Sequence, residues 1–188
     1  MHEIILASKS PRRRELLSAL NFPISFVDIQ VDEHLDEDIA PTAVAEATAK
    51  KKASAFESQT LKEGQVLVTA DTVVICDNRV LGKPHHREEA LEMLKLLSNR
   101  WHYVCTGVCL VTRNAQRSFT ENSQVHFKEL SQKEIEHYVD YYNPYDKAGS
   151  YGIQEWIGLI GIDSIKGCYY NVMGFPTSRF YKELQLLG

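Results

Sequence analysis

The chain has 188 residues, 44% of them apolar, with 21 Lys and Arg against 25 Asp and Glu for a formal net charge of −4. That length builds one large domain or two closely joined lobes around a real core, and mild acidity removes any general attraction to nucleic acid or anionic membrane. No apolar run approaches the roughly 18 residues of a membrane span, no basic-then-apolar leader precedes the first strand, and Cys76, Cys105, Cys109 and Cys168 form no CxxC pair, so the chain reads as a cytoplasmic protein with reduced, packed thiols.

The apolar run Ile4-Ile5-Leu6-Ala7 predicts a strand over about 3–7. Ser8-Lys9-Ser10-Pro11-Arg12-Arg13-Arg14 follows directly. Ser10 is suited to cap a helix over about 11–20, and Pro11 to its first turn, where the missing N–H costs nothing. Free backbone N–H groups and the positive end of the helix dipole then face the loop. Cations are unfavourable at a helix N-terminus, so the arginines point to a site for a dense anion such as a polyphosphate. A capped helix with a solvated basic first turn is the plainer alternative. On a mildly acidic protein a basic site is a local pocket, which favours a small charged ligand over a duplex.

A second extended piece covers about 24–31, and the acidic loop Asp32 to Asp38 leads through Pro41 to an alanine-rich helix near 42–57. Val44, Ala45, Thr48, Ala49, Ala55 and Phe56 form its inward stripe. At about 100° per residue, Lys52 falls near the centre of that stripe, where it either snorkels to the surface or reaches across a cleft wall to an anion. The most apolar strand, about 66–75, contains Asp71. An ionised carboxylate buried without a partner is very costly, so Asp71 is paired, metal-bound or at a cleft. Asp77-Asn78 suits a two-residue hairpin turn, returning through Val80-Leu81-Gly82-Lys83-Pro84. That turn sets Thr72 opposite Lys83 and Asp71 diagonal to it, so that carboxylate, hydroxyl and ammonium converge at one strand end.

A helix follows over about 86–98, with Ala90, Met93, Leu94 and Leu97 on one face. Strands over about 101–113 and 117–128 flank a turn at Asn114-Ala115, and Ser131 with Glu134 forms a capping box for a helix that stops before Pro144. In the loop at 144–154, Asp146-Lys147-Ala148-Gly149-Ser150-Tyr151-Gly152-Ile153-Gln154 has two glycines that allow positive φ and close approach of a ligand. Gln154 offers the donor and acceptor needed to read the edge of a base. A strand pair around 157–173 and a helix from about 177 complete the chain. Strands and helices interleave while the hairpins forbid a purely parallel sheet, which gives a mixed-sheet α/β domain. The histidines show no ligand spacing for a transition metal, and each reads as a surface or half-buried residue.

Together, Leu6-Ala7-Ser8-Lys9-Ser10-Pro11-Arg12-Arg13, Ala70-Asp71-Thr72-Val73-Val74, Gly82-Lys83-Pro84, Thr106-Gly107-Val108 and the 146–154 loop resemble the Maf family in order and spacing, from Ile5 to Gly174-Phe175-Pro176. The resemblance implies a single domain over 1–188 with two lobes around a deep cleft, in the fold of inosine triphosphate pyrophosphatases. It also implies a metal-dependent nucleoside triphosphate pyrophosphatase that yields a monophosphate and pyrophosphate. The form of the 146–154 loop resembles the branch acting on dTTP and UTP. Within that branch the positions matching Arg12, Thr72 and Gln154 are associated with substrate choice, and that matching Asp71 with the catalytic base. Glu155-Trp156 depart from the family pattern, which more often has glycine after the loop, and Arg14 extends the arginine pair.

On this reading Asp71 accepts the proton of the attacking water, and Glu33 joins it in holding Mg²⁺ or Mn²⁺. Arg13, Lys52 and Lys83 bind phosphate oxygens and offset the charge of the departing pyrophosphate, while Ser8 and the loop N–H groups position the triphosphate. Arg12, Thr72 and Gln154 sense the base and sugar. Asp32, Asp36 and Glu37 read as solvated loop charges. The family likeness adds an expected homodimer. The alternatives are the same chemistry on 7-methyl-GTP or another nucleotide, or a non-catalytic regulator of septum formation. Asp71, Lys52 and Lys83 in otherwise apolar settings favour a working site, and the lack of a broad basic face argues against nucleic acid.

Overall fold

A computed structural model describes residues 2–32 and 39–187, so Glu33, Asp36 and Glu37 lie outside the described residues. In chain order the elements are β1 (Glu3–Ala7), α1 (Pro11–Ser18), β2 (Ile24–Phe26), α2 (Val44–Ser54), β3 (Gln65–Cys76), β4 (Arg79–Leu81) and α3 (Arg87–Leu97). They continue as β5 (Trp101–Val111), β6 (Gln116–Phe127), α4 (Gln132–Tyr142), α5 (Trp156–Gly161), β7 (Ile162–Lys166), α6 (Tyr169–Met173) and α7 (Thr177–Gln185). The strands form one sheet in the order β2-β1-β3-β5-β6-β7, with β4 added to β3. β1 runs parallel to β2 and β3, whereas β3/β4 and β6/β7 are antiparallel, so the sheet is mixed as expected. The chain divides into two compact units. The first comprises Met1–Asp71, Thr106–Glu121 and Gly174–Gly188, the second Thr72–Cys105 and Asn122–Met173.

In the first unit, α2 packs through its smallest residues. Ala45, Thr48, Ala49 and Ala53 are its buried positions, and Ala49 and Ala53 join Ala7, Leu61, Leu67, Cys109 and Val111 in one apolar cluster. The approach is close because β5 presents Gly107, where a Cβ would lie 2.2 Å from the Glu46 backbone nitrogen. Thr69 Oγ1 adds a bond to the Ala49 carbonyl at 2.6 Å. Ala55, expected on the inward stripe, is exposed, because α2 ends at Ser54 and the stripe ends with it. Glu46 accepts from Ser118 and Thr120 at 2.7 and 2.8 Å. Burial raises its pKa, but these bonds and Lys50 outweigh burial and leave the carboxyl below its usual range. The extended piece expected over 24–31 is a strand only through Phe26, since β1 ends at Ala7 and offers no ladder beyond the Val27 N–H to Leu6 carbonyl bond.

The second unit is built around the α3 face read from the sequence, and Ala90, Met93, Leu94 and Leu97 are all buried. Its hairpin turns at Asp77 and Asn78, both left-handed at φ 49° and 61°, the conformation that makes a two-residue turn match strand twist. The register Cys76↔Arg79, Ile75↔Val80, Val74↔Leu81 follows the expected one. Pairing stops there, however, short of Thr72 and Lys83, and the next carbonyl, Gly82, accepts the Gly149 N–H at 2.9 Å instead. The capping box at Ser131 and Glu134 is present, and left-handed Asn143 ends α4 before Pro144.

The strand pair expected around 157–173 is instead α5, the single strand β7 and α6. Gly158 sits directly against the Ile153 carbonyl, where a Cβ would come within 1.9 Å, so a helical turn forms in a packing space no larger residue could enter. His102 corrects the reading of every histidine as surface or half-buried. It is 2% exposed, its Nε2 lies 2.7 Å from the Tyr151 hydroxyl, and burial holds its pKa down at about 4. The four cysteines are free, with Cys105 and Cys109 pushed up to about 11 by burial. Among the described residues no helix is long and apolar enough to cross a membrane.

Candidate active site

β1 ends at Ala7 beside Thr69 of β3, so the Ser8 loop emerges next to the Ala70-Asp71 step, at the carboxyl end of a parallel pair where α/β sheets collect ligands. Ser10 caps α1, its Oγ 3.5 Å from the Arg13 N–H, and its own N–H donates to Ser8 Oγ at 3.2 Å. Arg13 donates from Nε to the Gly174 carbonyl (3.0 Å), and from Nη1 to the Ala70 carbonyl (2.9 Å) and Ser8 Oγ (3.5 Å). Arg14 donates to the Ser8 carbonyl and lays its guanidinium over Phe26 at 4.6 Å. Part of the arginine run thus has a structural duty that the sequence could not show, since Gly174 lies 161 residues away. Arg12 is half-buried at the same turn.

Lys52 does not snorkel. Its Nζ lies 3.0 Å from Asp71 Oδ1, with the two side chains 15% and 20% exposed. Asp71 is therefore paired, one of the three states its apolar strand allowed. Ser8, Arg13, Lys52 and Asp71 all belong to the first unit, and their described side chains carry two positive charges against one negative. Such a balance suits an anionic ligand.

Thr72, Lys83 and Gln154 belong to the second unit. Thr72 is half-buried and Lys83 exposed. Gln154 is half-buried, and its Oε1 is buried with no hydrogen-bond partner among the described residues. In the loop before it, Gly149 takes the expected positive φ of 66°, and a Cβ there would lie 2.8 Å from the Val74 side chain. Gly152, to which positive φ was equally open, does not take one. It is small because Glu155 lies against it, with a would-be Cβ 2.9 Å from Glu155 Cδ.

Sequence reasoning missed what holds this loop. Lys147 is 7% exposed and pairs with Asp146 at 2.7 Å and Glu155 at 3.0 Å. The Tyr138 hydroxyl donates to Glu155 Oε2 and accepts the Gly152 N–H at 3.0 Å. Burial, then the bond to Glu155, pushes the Tyr138 phenol well above its usual pKa. The available signal was the placement of opposite charges at positions 147 and 155, the two ends of a glycine-containing loop.

Of the two expected metal ligands, only Asp71 lies among the described residues, and these contain no group of three or more His, Cys, Asp and Glu able to hold an ion. One partly exposed carboxylate fits a hard cation such as Mg²⁺, which needs only one or two protein carboxylates when phosphate oxygens supply further ligands.

A solved structure places this fold in its class. The chain aligns with the Staphylococcus aureus Ham1 protein at a TM-score of 0.53 and 13% identity, covering 96% of this chain and 99% of that one. The two share an α/β fold with strands and helices interleaved over the whole length, the class expected from the sequence. Within that class the family is defined by sequence: the model for Maf-like proteins matches residues 3–187, and the chain belongs to the Maf family. It is 50% identical over 187 residues to the dTTP/UTP pyrophosphatase of Bacteroides thetaiotaomicron, covering 99% of this chain and 96% of that protein. The protein of the same name from Porphyromonas gingivalis is 47% identical over 196 aligned positions, with coverage of 100% and 95%.

Proposed function

We propose that this protein hydrolyses dTTP and UTP to the nucleoside monophosphate and pyrophosphate. The observation that carries this reading is the full-length similarity, at 44–50% identity, to proteins bearing that activity in their names. The Lys52–Asp71 pair beside the Ser8 loop supports it chemically. In the reaction a water oxygen bonds to the attacked phosphorus, its proton passes to the Asp71 carboxylate, and the phosphoanhydride bond breaks to release pyrophosphate. Lys52 fixes Oδ1 of the base and shares its charge with a phosphate oxygen. Arg13 steadies the Ala70-Asp71 step through the Ala70 carbonyl and adds positive charge on the same side. Ser8 and the N–H groups of the capped turn receive the triphosphate, and Lys83 offsets the charge of the leaving group.

Asp71 and Glu33 would hold a divalent cation, Mg²⁺ or Mn²⁺, which when bound neutralises charge on the phosphate oxygens. Arg12 and Thr72 sense the sugar and base. Gln154 supplies the discriminating contact: its amide oxygen accepts from the N3–H of uracil or thymine, while Nε2 donates to a ring carbonyl. The enzyme works as a cytoplasmic homodimer, and sedimentation of a monomer at micromolar concentration would remove the dimer.

The test is pyrophosphate release from dTTP, UTP, CTP, ATP, GTP and 7-methyl-GTP, with Mg²⁺, with Mn²⁺ and with chelator. Turnover of dTTP and UTP alone, dependent on metal, is the expected result. Preference for 7-methyl-GTP overturns the base assignment but keeps the chemistry, and full turnover in chelator removes the cation. Silence on every nucleotide by folded protein sinks the reading.

A further inference from the structure

Lys147 and Glu155 stand at the two ends of the 148–154 segment, and their 3.0 Å ion pair closes it at the neck. Inside, the Gly152 N–H is held by Tyr138 Oη, and the same hydroxyl donates to Glu155. Ammonium, carboxylate, phenol and backbone amide thus form one continuous chain of bonds. Lys147 and Tyr138 are buried, and the phenol's raised pKa keeps it a donor to Glu155. Packing is as tight as the bonding: a Cβ at Gly152 would lie 2.9 Å from Glu155 Cδ and 3.1 Å from Gln154 Nε2. Glu155, Gly152 and the Gln154 amide are therefore fitted against one another.

A glutamine on a loop reads a base only if its amide is held to a fraction of an ångström. Stability alone is poorly served by burying charges, since apolar residues of similar size often do as well. Directional, charge-assisted bonds are instead suited to fixing geometry. We propose that Lys147, Glu155 and Tyr138 form a clamp that positions the Gln154 amide, making Glu155 a positioning residue for nucleotide selection. The inference rests on the base-reading role given to Gln154 above.

The experiment compares wild type, Glu155→Gln, Lys147→Met/Glu155→Gln and Gln154→Ala by pyrophosphate release from UTP and CTP, and by amide hydrogen exchange over residues 148–154. Loosening the clamp is expected to quicken exchange at Gly152 about tenfold and to shrink the UTP-to-CTP ratio of kcat/KM about tenfold, more through KM than kcat. The double variant leaves no lone buried charge and is expected to match Glu155→Gln, because the two residues act as one unit. An unchanged ratio in a folded clamp variant overturns the proposal, even where exchange quickens. Loss of the native fold in both clamp variants overturns it too, since the trio then supports the whole unit and not one amide. A Gln154→Ala protein with wild-type selectivity removes the role of Gln154 and the inference resting on it. Failure of unmutated protein to release pyrophosphate from UTP or dTTP instead refutes the proposed function itself.

Discussion

Each unit places a carboxylate against a lysine, and the two pairs are built differently. In the first, Lys52 meets Asp71 through Oδ1 with both side chains partly open to solvent. In the second, Lys147 is almost enclosed between Asp146 and Glu155, and Glu155 also takes the Tyr138 hydroxyl. The two carboxylates are about equally exposed, at 20% and 21%, and the pairs differ at the lysine, 15% exposed in the first and 7% in the second, and in the Tyr138 hydroxyl bonded to Glu155. The contrast separates a group suited to chemistry from one suited to holding geometry, although both would look alike as Lys–carboxylate pairs in sequence.

Substitutions can break that contrast. The largest expected effect is on the first pair: Asp71→Asn should lower pyrophosphate release from dTTP about 10³-fold while the thermal midpoint moves little, because the proton acceptor is lost but the isosteric amide oxygen still accepts from Lys52. Steady-state kinetics beside a melting curve checks both halves. The second pair should respond in the opposite way. Lys147→Met leaves Glu155 without its cation and is expected to cost about 3 to 4 kcal/mol in urea unfolding, with more than half recovered in the Lys147→Met/Glu155→Gln protein.

Acid sharpens the comparison, because it acts on the second unit through His102. The native ring titrates near pH 4 and the unfolded one near 6.5. Between those values the unfolded chain binds a proton that the native one refuses, so stability falls as pH drops through the window and levels off below it. The loss is about 3 kcal/mol, and none arises above pH 6.5. Urea midpoints across pH 4 to 7 should show this slope, and His102→Gln should flatten it. The smallest effects are at the helix caps. Ser131→Ala breaks a reciprocal box and is expected to cost about 1 kcal/mol, and Ser10→Ala, whose bond is long at 3.5 Å, about half as much.

What was legible in the sequence was local. The Ser131–Glu134 box, the left-handed Asp77-Asn78 turn and the buried face of α3 are each written within a few residues and appear as read. Lys52 in an apolar stripe and Asp71 in an apolar strand each announced a partner, and each is the other's. Readings failed where a group outside the element being read decided the outcome. The Ile157-Gly158-Leu159-Ile160-Gly161 run has strand composition, yet it turns into a helix against the Ile153 carbonyl. Arg13 looked like an anion ligand alone, but carbonyls of Ala70 and Gly174 take two of its N–H groups. Lys147 was passed over because its partner lies across a loop, outside any helical or strand period.

The contact at Gly107 bears on how tolerance to mutation would be mapped along this chain. Any side chain there collides with the backbone at Ala45 and Glu46, and the helix displaced is the one that carries Lys52. A saturation scan scored by activity would therefore rank position 107 among the most intolerant, level with Asp71, although it bears no reactive group. Selection at the two positions would differ only in what survives: Gly107→Ala would lose folded protein, and Asp71→Asn would leave it abundant and inert.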